Sequence, residues 1–328
     1  MNQGSKKLNI LICGLGSIGK RHARLLREHF PHQLFALRTY LGQEKNDLRI
    51  PELLSWEEVD RHSFDAAFIT NPTYLHIATA LECASRKMHL FIEKPIDCKR
   101  EGLDDLLRAV TTYGLATYVA YPLRFDPVIR EAKKILEGQK ILHARALCAS
   151  YLPEWRSGQD HLKNYSAFRN QGGGVILDLS HEIDYAAFLF GEIRDLRGIF
   201  GKVSSVTVDS EDFADMTIFH DSSVTNVHLN YFSRYPRREI FVDTEELTLR
   251  ADILNHKLEI TKDGRTRTQH FSVQRDDMYL SQLKYFFDHL DNTAMENDLS
   301  SAGKLFEKIL TLKERNENFT GTCSEKLV

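Results

Sequence analysis

Apolar residues recur along the first 120 positions in two alternating rhythms. Residues 8–13 form a short continuous apolar run, the pattern of a strand buried on both faces of a parallel sheet. The stretch 18–30 then places Ile18, His22, Leu25, Leu26 and His29 at helical spacing, and Pro31 ends it. The same reading predicts strands over 33–37, 65–70, 90–93 and 115–120, with helices over 75–85 and 101–112. Strands separated by helices imply right-handed crossovers and a doubly wound parallel sheet.

The rhythm changes after Pro122. A helix over 127–137 and a strand over 141–151 lead into a long irregular segment, 152–174. A helix over 175–190 follows and stops at Gly191. Between 196 and 271, short β-rich runs lack helix-length spacers, which predicts antiparallel meanders. Helices over 278–290 and 299–314 close the pattern, and the tail from Asn316 is polar. The expected division is a domain over 1–122 and a second α/β domain, with a large, mostly antiparallel open sheet, over 123–328.

Composition narrows the class. Of 328 residues, 42% are hydrophobic and 27% charged, which excludes a mainly disordered chain. The formal net charge of −3 is not that of a general nucleic-acid binder. No apolar run reaches the roughly 20 residues of a membrane span, and the apolar run near the N-terminus leads straight into a glycine turn rather than a cleavage site. The five cysteines, Cys13, Cys83, Cys98, Cys148 and Cys323, contain no C-x-x-C pair, so neither a disulfide framework nor a metal cluster is expected. A cytoplasmic protein with reduced thiols is the reading.

Gly14-Leu15-Gly16-Ser17-Ile18-Gly19 fits G-x-G-x-x-G between a strand and a helix, the context a dinucleotide site needs. Gly14 permits the tight turn and Gly16 lets the backbone approach a pyrophosphate. The amide groups of Ser17 and Ile18 stand at the helix start, and Gly19 allows close helix–strand packing. At the end of the second strand, Arg38-Thr39 stands where an NAD site usually carries Asp or Glu, and no carboxylate follows until Glu44. Arg38 can clamp a 2′-phosphate with help from the Thr39 hydroxyl, so NADP is expected over NAD.

Three further patches accompany the glycine loop: Thr70-Asn71-Pro72-Thr73-Tyr74-Leu75-His76, Glu93-Lys94-Pro95, and the stretch from Gly172-Gly173-Gly174 through Asp178 and His181 to Asp184. In this order they resemble the Gfo/Idh/MocA family, named for glucose-fructose oxidoreductase and inositol dehydrogenase. The resemblance implies a Rossmann domain joined to an α/β domain, a sugar, cyclitol or sugar derivative as substrate between them, and a homo-dimer or homo-tetramer formed through the C-terminal sheet. It implies that Thr70, Asn71, Pro72, His76 and Glu93 line the cofactor and that Lys94 is the active-site lysine, also near the cofactor. Many members place the aspartate four residues before the histidine; here the gap is three, a helical rotation of about 100°.

Removing hydride from an alcohol also requires a proton acceptor and stabilisation of charge on oxygen. Lys94, at a parallel strand end, supplies an ammonium, and His181 a proton carrier. On one continuous helix Asp178 and His181 share a face, so Asp178 is expected to orient the imidazole or bind a substrate hydroxyl, with Asp184 the fallback. The triple glycine is expected to let the backbone approach a ligand. Arg124, Trp155, Lys163 and Tyr165 are further substrate-binding candidates, joined in the irregular segment by Tyr151, Arg156, His161, Asn164 and Arg169. Their basic excess suits a nucleotide-linked or acidic sugar. Two other readings stand beside the dehydrogenase: a redox-neutral NAD-dependent glycosidase and a non-catalytic NAD(P)-binding sensor. The β-rich stretch is expected to leave a broad apolar sheet face that a second subunit covers.

Overall fold

A computed structural model describes residues 7–38, 46–155, 161, 165–291 and 295–317. These residues form two compact units. One takes the chain up to Ala120 together with Tyr279–Lys304, and the other takes Tyr121–Met278 and the residues from Leu305 onward.

The first unit is built on six parallel strands: β1 (Asn9–Cys13), β2 (Gln33–Leu37), β3 (Glu52–Leu53), β4 (Ala66–Ile69), β5 (His89–Glu93) and β6 (Thr117–Ala120), in the order β3-β2-β1-β4-β5-β6. That is the dinucleotide-binding order, and its loops at the carboxyl strand ends are where ligands bind. Helices α1 (Ser17–His29), α2 (Trp56–Val59), α3 (His76–Ser85) and α4 (Leu103–Tyr113) make the connections. Helix α1 turns Gly19, His22, Ala23, Leu25 and Leu26 inward; of the positions its spacing singled out, Ile18 is half-buried and His29 is exposed at the helix end. The two-residue β3 and one-turn α2 are too short to carry a period, and the sequence reading omits them.

Helix α8 (Asp277–Asp288) sends Phe286 edge-on to the stacked Phe68–Phe91 pair, with ring centres 5.8 and 5.5 Å away. The Asn297 side-chain amide donates to the Val119 carbonyl at 2.6 Å, and the Leu299 amide, opening α9 (Leu299–Glu317), donates to the Thr117 hydroxyl at 2.9 Å. Chain order and compact unit therefore differ here, because 279–304 folds with the first unit.

The second unit holds α5 (Pro127–Leu136), α6 (Val175–Asp178) and α7 (His181–Phe190), with eight strands: β7 (Ile141–Tyr151), β8 (Asp195–Gly201), β9 (Phe213–Phe219), β10 (Val224–Asn230), β11 (Phe232–Thr244), β12 (Thr248–Asp252), β13 (Lys257–Lys262) and β14 (Arg265–His270). Their order is β14-β13-β12-β11-β7-β10-β9-β8, antiparallel at every step except β7 against β10. Alternate residues such as Ala146, Cys148, Met216, Val227, Ile240 and Leu249 are buried on the face that α5, α6 and α7 contact.

The opposite face corrects one expectation, because it is not broadly apolar. It pairs its own polar groups: His228 with Asp215 at 2.7 Å, His143 with Asn226 at 2.7 Å, and Arg250 with both Glu239 (2.7 Å) and Glu259 (3.0 Å). Ile199, 64% exposed, is an apolar exception.

A second correction concerns the helix over 175–190. It breaks into α6 and α7 at Leu179-Ser180. The Leu179 amide closes α6 onto the Val175 carbonyl, and α7 restarts with the Asp184 amide on the Ser180 carbonyl. Asp178 ends one helix and His181 begins the next, so the two do not lie on the one continuous helix expected for them.

Candidate active site

In the first unit the glycine loop has the shape its sequence requires. Gly14 sits at φ +100°, and its amide donates to the Leu37 carbonyl at 3.1 Å. A Cβ at Gly14 would meet the backbone of Asn71 at 2.8–2.9 Å, and one at Gly19 would overlap the Gly14 carbonyl. A Cβ at Gly16 would stand in open space, with nothing within 4 Å. Beyond it α1 begins at Ser17 with no side-chain cap and no acidic residue in its first turn. Uncapped N–H groups beside the open Gly16 position fit a pyrophosphate. The residues present therefore fit a nicotinamide dinucleotide at the Gly14–Gly19 loop.

Thr70 and Asn71 buttress this loop. The Thr70 hydroxyl donates to the carbonyls of Gly14 (2.7 Å) and Cys13 (3.1 Å), and the Asn71 amide donates to Thr79 at 2.7 Å. The Asn71 carbonyl oxygen of the side chain is buried with no partner among the described residues, an acceptor a ligand donor can use. Pro72 is exposed. His76 is 2% exposed, with one ring nitrogen 2.9 Å from the Pro95 carbonyl and the other 2.9 Å from the Asn71 carbonyl. Glu93 ends β5 and pairs with His22, and Lys94 follows it, partly exposed.

At the end of β2, Arg38 donates to Glu52 at 2.6 Å. Glu52 also accepts from the Asn46 side chain and backbone, which together with Arg38 hold its carboxyl below the usual range. The sequence reading found no carboxylate before Glu44; the structure supplies one from the neighbouring strand β3. Thr39 lies outside the described residues.

In the second unit Gly173 and Gly174 serve the fold. A Cβ on Gly173 would meet the carbonyls of Tyr165, Ser166 and Phe168 at 2.5–2.8 Å. One on Gly174, at φ +106°, would meet the Glu211 carboxylate at 2.5 Å, a group that also pairs with Lys313. The expected approach of a ligand to this backbone is thus taken by the protein's own atoms.

Asp178, 4% exposed, accepts from the Tyr165 hydroxyl at 2.8 Å and from the Tyr231 hydroxyl at 3.1 Å. Burial, with the Asp178 carboxylate beside it, pushes the Tyr231 phenol well above its usual range, so it remains a donor. Trp155 sets its ring edge-on to Tyr231, centres 5.4 Å apart, and donates to Ser150. Tyr231 was missed from sequence because it lies on no motif and 53 residues beyond its partner.

His181 is partly exposed, and Tyr121 meets its ring edge-on at 5.6 Å. Asp184 is not its orienter. That carboxylate is held by Arg124 through contacts of 2.7, 2.9 and 3.1 Å, and its burial raises its pKa against the pull of the guanidinium. Arg124 and Asp184 are thus joined to one another. His161 lies 3.1 Å from the Thr207 carbonyl, Tyr151 lies under the Arg234 guanidinium, and Arg169 is exposed. Arg156, Lys163 and Asn164 lie outside the described residues. No cluster of three metal-ligating side chains occurs among the described residues.

The chain is similar to known proteins. The chain is 22% identical over 82% of its length to a 2,7-anhydro-N-acetylneuraminate hydratase of Mediterraneibacter gnavus, covering 73% of that protein. It is 24% identical over 62% of its length to the myo-inositol 2-dehydrogenase of Thermotoga maritima, covering 60%. The chain thus spans between about half and three-quarters of the length of the curated relatives it matches. Among solved structures, an oxidoreductase from Agrobacterium radiobacter in complex with NAD+, L-tartaric acid and magnesium superposes with a TM-score of 0.82 at 17% identity, over 96% of this chain and 97% of that one. Residues 8–121 match the model of an oxidoreductase family with an NAD-binding Rossmann fold, and residues 129–250 match the GFO/IDH/MocA C-terminal domain. Loop, sheet order and both family models agree: this chain belongs to the Gfo/Idh/MocA oxidoreductases.

Proposed function

We propose that the protein is an NAD(P)-dependent oxidoreductase acting on a hydroxyl or keto carbon of a sugar, cyclitol or sugar derivative, including nucleotide-linked sugars. The observation that carries the reading is the bare Gly16 position at the uncapped start of α1, with Lys94 at the end of β5 in the same unit. When bound, the nicotinamide accepts or gives the hydride. Lys94 hydrogen-bonds the reacting oxygen and stabilises charge there, and His181 takes or returns the proton. Asp178, held by two phenols, gives a fixed acceptor for a substrate hydroxyl. A panel of cyclitols, sugars and nucleotide sugars, followed by the near-ultraviolet absorbance of reduced nicotinamide, tests the reading; no turnover on any class in either direction overturns it.

A relative named as a hydratase favours a second reading, redox-neutral use of the cofactor. It predicts product without net accumulation of reduced nicotinamide.

NADP(H) is the proposed preference, carried by Arg38. Glu52 narrows it, since its carboxylate repels a 2′-phosphate and can accept from a ribose 2′-hydroxyl. Glu52→Gln should therefore raise the ratio of NADP(H) to NAD(H) affinity, and Arg38→Ala should lower it, each on the order of 10-fold for one charged hydrogen bond. Dissociation constants from nicotinamide fluorescence check this, and ratios unmoved by both changes refute it.

A homo-dimer or homo-tetramer through the sheet face of the second unit is also proposed. A face on which His228–Asp215 and Arg250 with Glu239 and Glu259 already pair can be covered by a second copy with few charges left to satisfy. Light scattering should give a mass above the monomer's 37.8 kDa at micromolar protein. A cytoplasmic location accords with Cys13, Cys83, Cys98 and Cys148 being free thiols, and no described helix is long and apolar enough to cross a membrane.

A further inference from the structure

Two buried histidines of the first unit reach the short segment that carries Lys94, one on each side of it. His22 on α1 is fully buried, and its Nε2 lies 2.6 Å from a Glu93 carboxylate oxygen. The second oxygen of Glu93 accepts from the Lys94 amide at 3.3 Å. On the other side, Nδ1 of His76, at the start of α3, lies 2.9 Å from the Pro95 carbonyl. Asp97 continues the attachment. One oxygen accepts from the Ile77 amide of α3 at 3.1 Å, and the other accepts from the amides of Cys98 and Lys99 at 2.7 and 3.3 Å.

Neither imidazole is explained by packing. His22 sits among Phe68, Phe91 and Tyr279, with ring centres 5.8, 5.1 and 6.2 Å away, and its Nδ1 has no partner among the described residues. An apolar ring there would complete the aromatic nest without desolvating two nitrogens. What histidine adds is an Nε2–H aimed at a carboxylate. His76 adds a similar link, and its other nitrogen reaches the Asn71 carbonyl, so the loop after β4 and the segment after β5 share one strut. The ladder of β5 ends at Glu93, and these side chains fix the backbone that the ladder no longer holds.

We propose that His22 and His76 are positioning residues for Lys94, His22 acting through Glu93 and His76 through the Pro95 carbonyl. The inference rests on the reading of Lys94 as the group that contacts the reacting oxygen. A displacement near 1 Å in such a group costs on the order of 10²-fold in rate. Both imidazoles act from inside the protein, His22 through Nε2 at the Glu93 carboxylate and His76 at the Pro95 and Asn71 carbonyls.

The test has one readout that needs no turnover. Reductive 13C-methylation gives each lysine a dimethylammonium signal, and that of Lys94 is identified by its loss in Lys94→Arg. In the cofactor-free protein, His22→Phe and His76→Phe should each shift the Lys94 signal and leave in place that of Lys133, on α5 of the second unit. His22→Gln, which keeps a side-chain N–H, should restore it. With whichever sugar or cyclitol of the panel is turned over, each Phe variant should lower kcat on the order of 10²-fold with little change in KM. Added to Lys94→Ala, neither should lower it further, because residues acting as a unit are not additive. An unmoved Lys94 signal in a folded Phe variant, or losses that multiply in the Lys94→Ala background, overturns the inference. The two arms are separate, so a variant that fails to fold leaves the other arm decisive. If Lys94→Ala keeps its turnover while the Phe variants still move the Lys94 signal, the catalytic reading fails and the clamp stands.

Discussion

Lys94→Ala and His181→Ala are each expected to lower kcat by about 10²–10⁴-fold while cofactor dissociation constants change little, the ordinary cost of removing an acid–base group or an electrostatic donor. Steady-state kinetics on the true substrate, with cofactor titration alongside, check this. Lys94 follows a buried strand and is partly exposed, so its truncation removes charge near the ligand loops without opening the core. His181 opens α7 beside Tyr121, again at a partly exposed position. Asp178→Asn should lose less, because its carboxylate is held by Tyr165 and Tyr231, and an amide still accepts from one of them. Near-parental kcat in His181→Ala, with chemistry limiting, would make it a packing residue and move the proton to Lys94 or Tyr165.

Glu182→Ala is expected to cost about 3 kcal/mol of stability, the low end for breaking a buried ion pair by removing one partner. Glu182 lies beside His181 on α7, is fully buried, and accepts from Arg238 of β11 at 2.8 Å. Removing it leaves a guanidinium facing the interior; the 20% of the Arg238 side chain that solvent reaches keeps the cost at the low end. Replacing both partners, Glu182→Leu with Arg238→Met, should recover most of the loss, since apolar residues of similar volume often substitute for a buried pair. Urea midpoints at constant slope measure both changes. A Glu182→Ala midpoint equal to the parent's would mean that the pair contributes nothing.

The elements legible in sequence were those with a period. The run 33–37 and the helix α1 emerge within a residue of their observed ends, because a parallel strand buried on both faces and an amphipathic helix each write their burial into the chain. The break at Leu179-Ser180 left no such mark. Both halves are buried, polar residues included (Asp178, Ser180, Glu182 and Asp184), so no exposed polar stripe records a change of axis. The same limit hid the partners of Asp178 and Asp184, since Tyr231 and Arg124 reach them across the fold rather than along a helix. Glu52 escaped because the expectation was tied to the end of β2, while the carboxylate arrives from the neighbouring strand.

Strand β7 lies in the middle of its sheet, yet both its neighbours are made late: β10 begins at Val224 and β11 at Phe232. As the chain leaves the ribosome, β7 waits with two open edges while more than seventy residues are added, including α6 and α7 with Asp178 and His181. Open edges of this kind are templates for pairing with other chains, and long-range pairing is slow to form. The exposed character of Leu142 and Arg145 along β7 supplies little protection on the face that will later be apolar, where Ala144, Ala146 and Cys148 await cover. Nascent chains ending before Asn230 should therefore be the ones that chaperones hold and that aggregate when chaperones are scarce, whereas β10 and then β11 close the two edges in turn once the chain has passed Thr244.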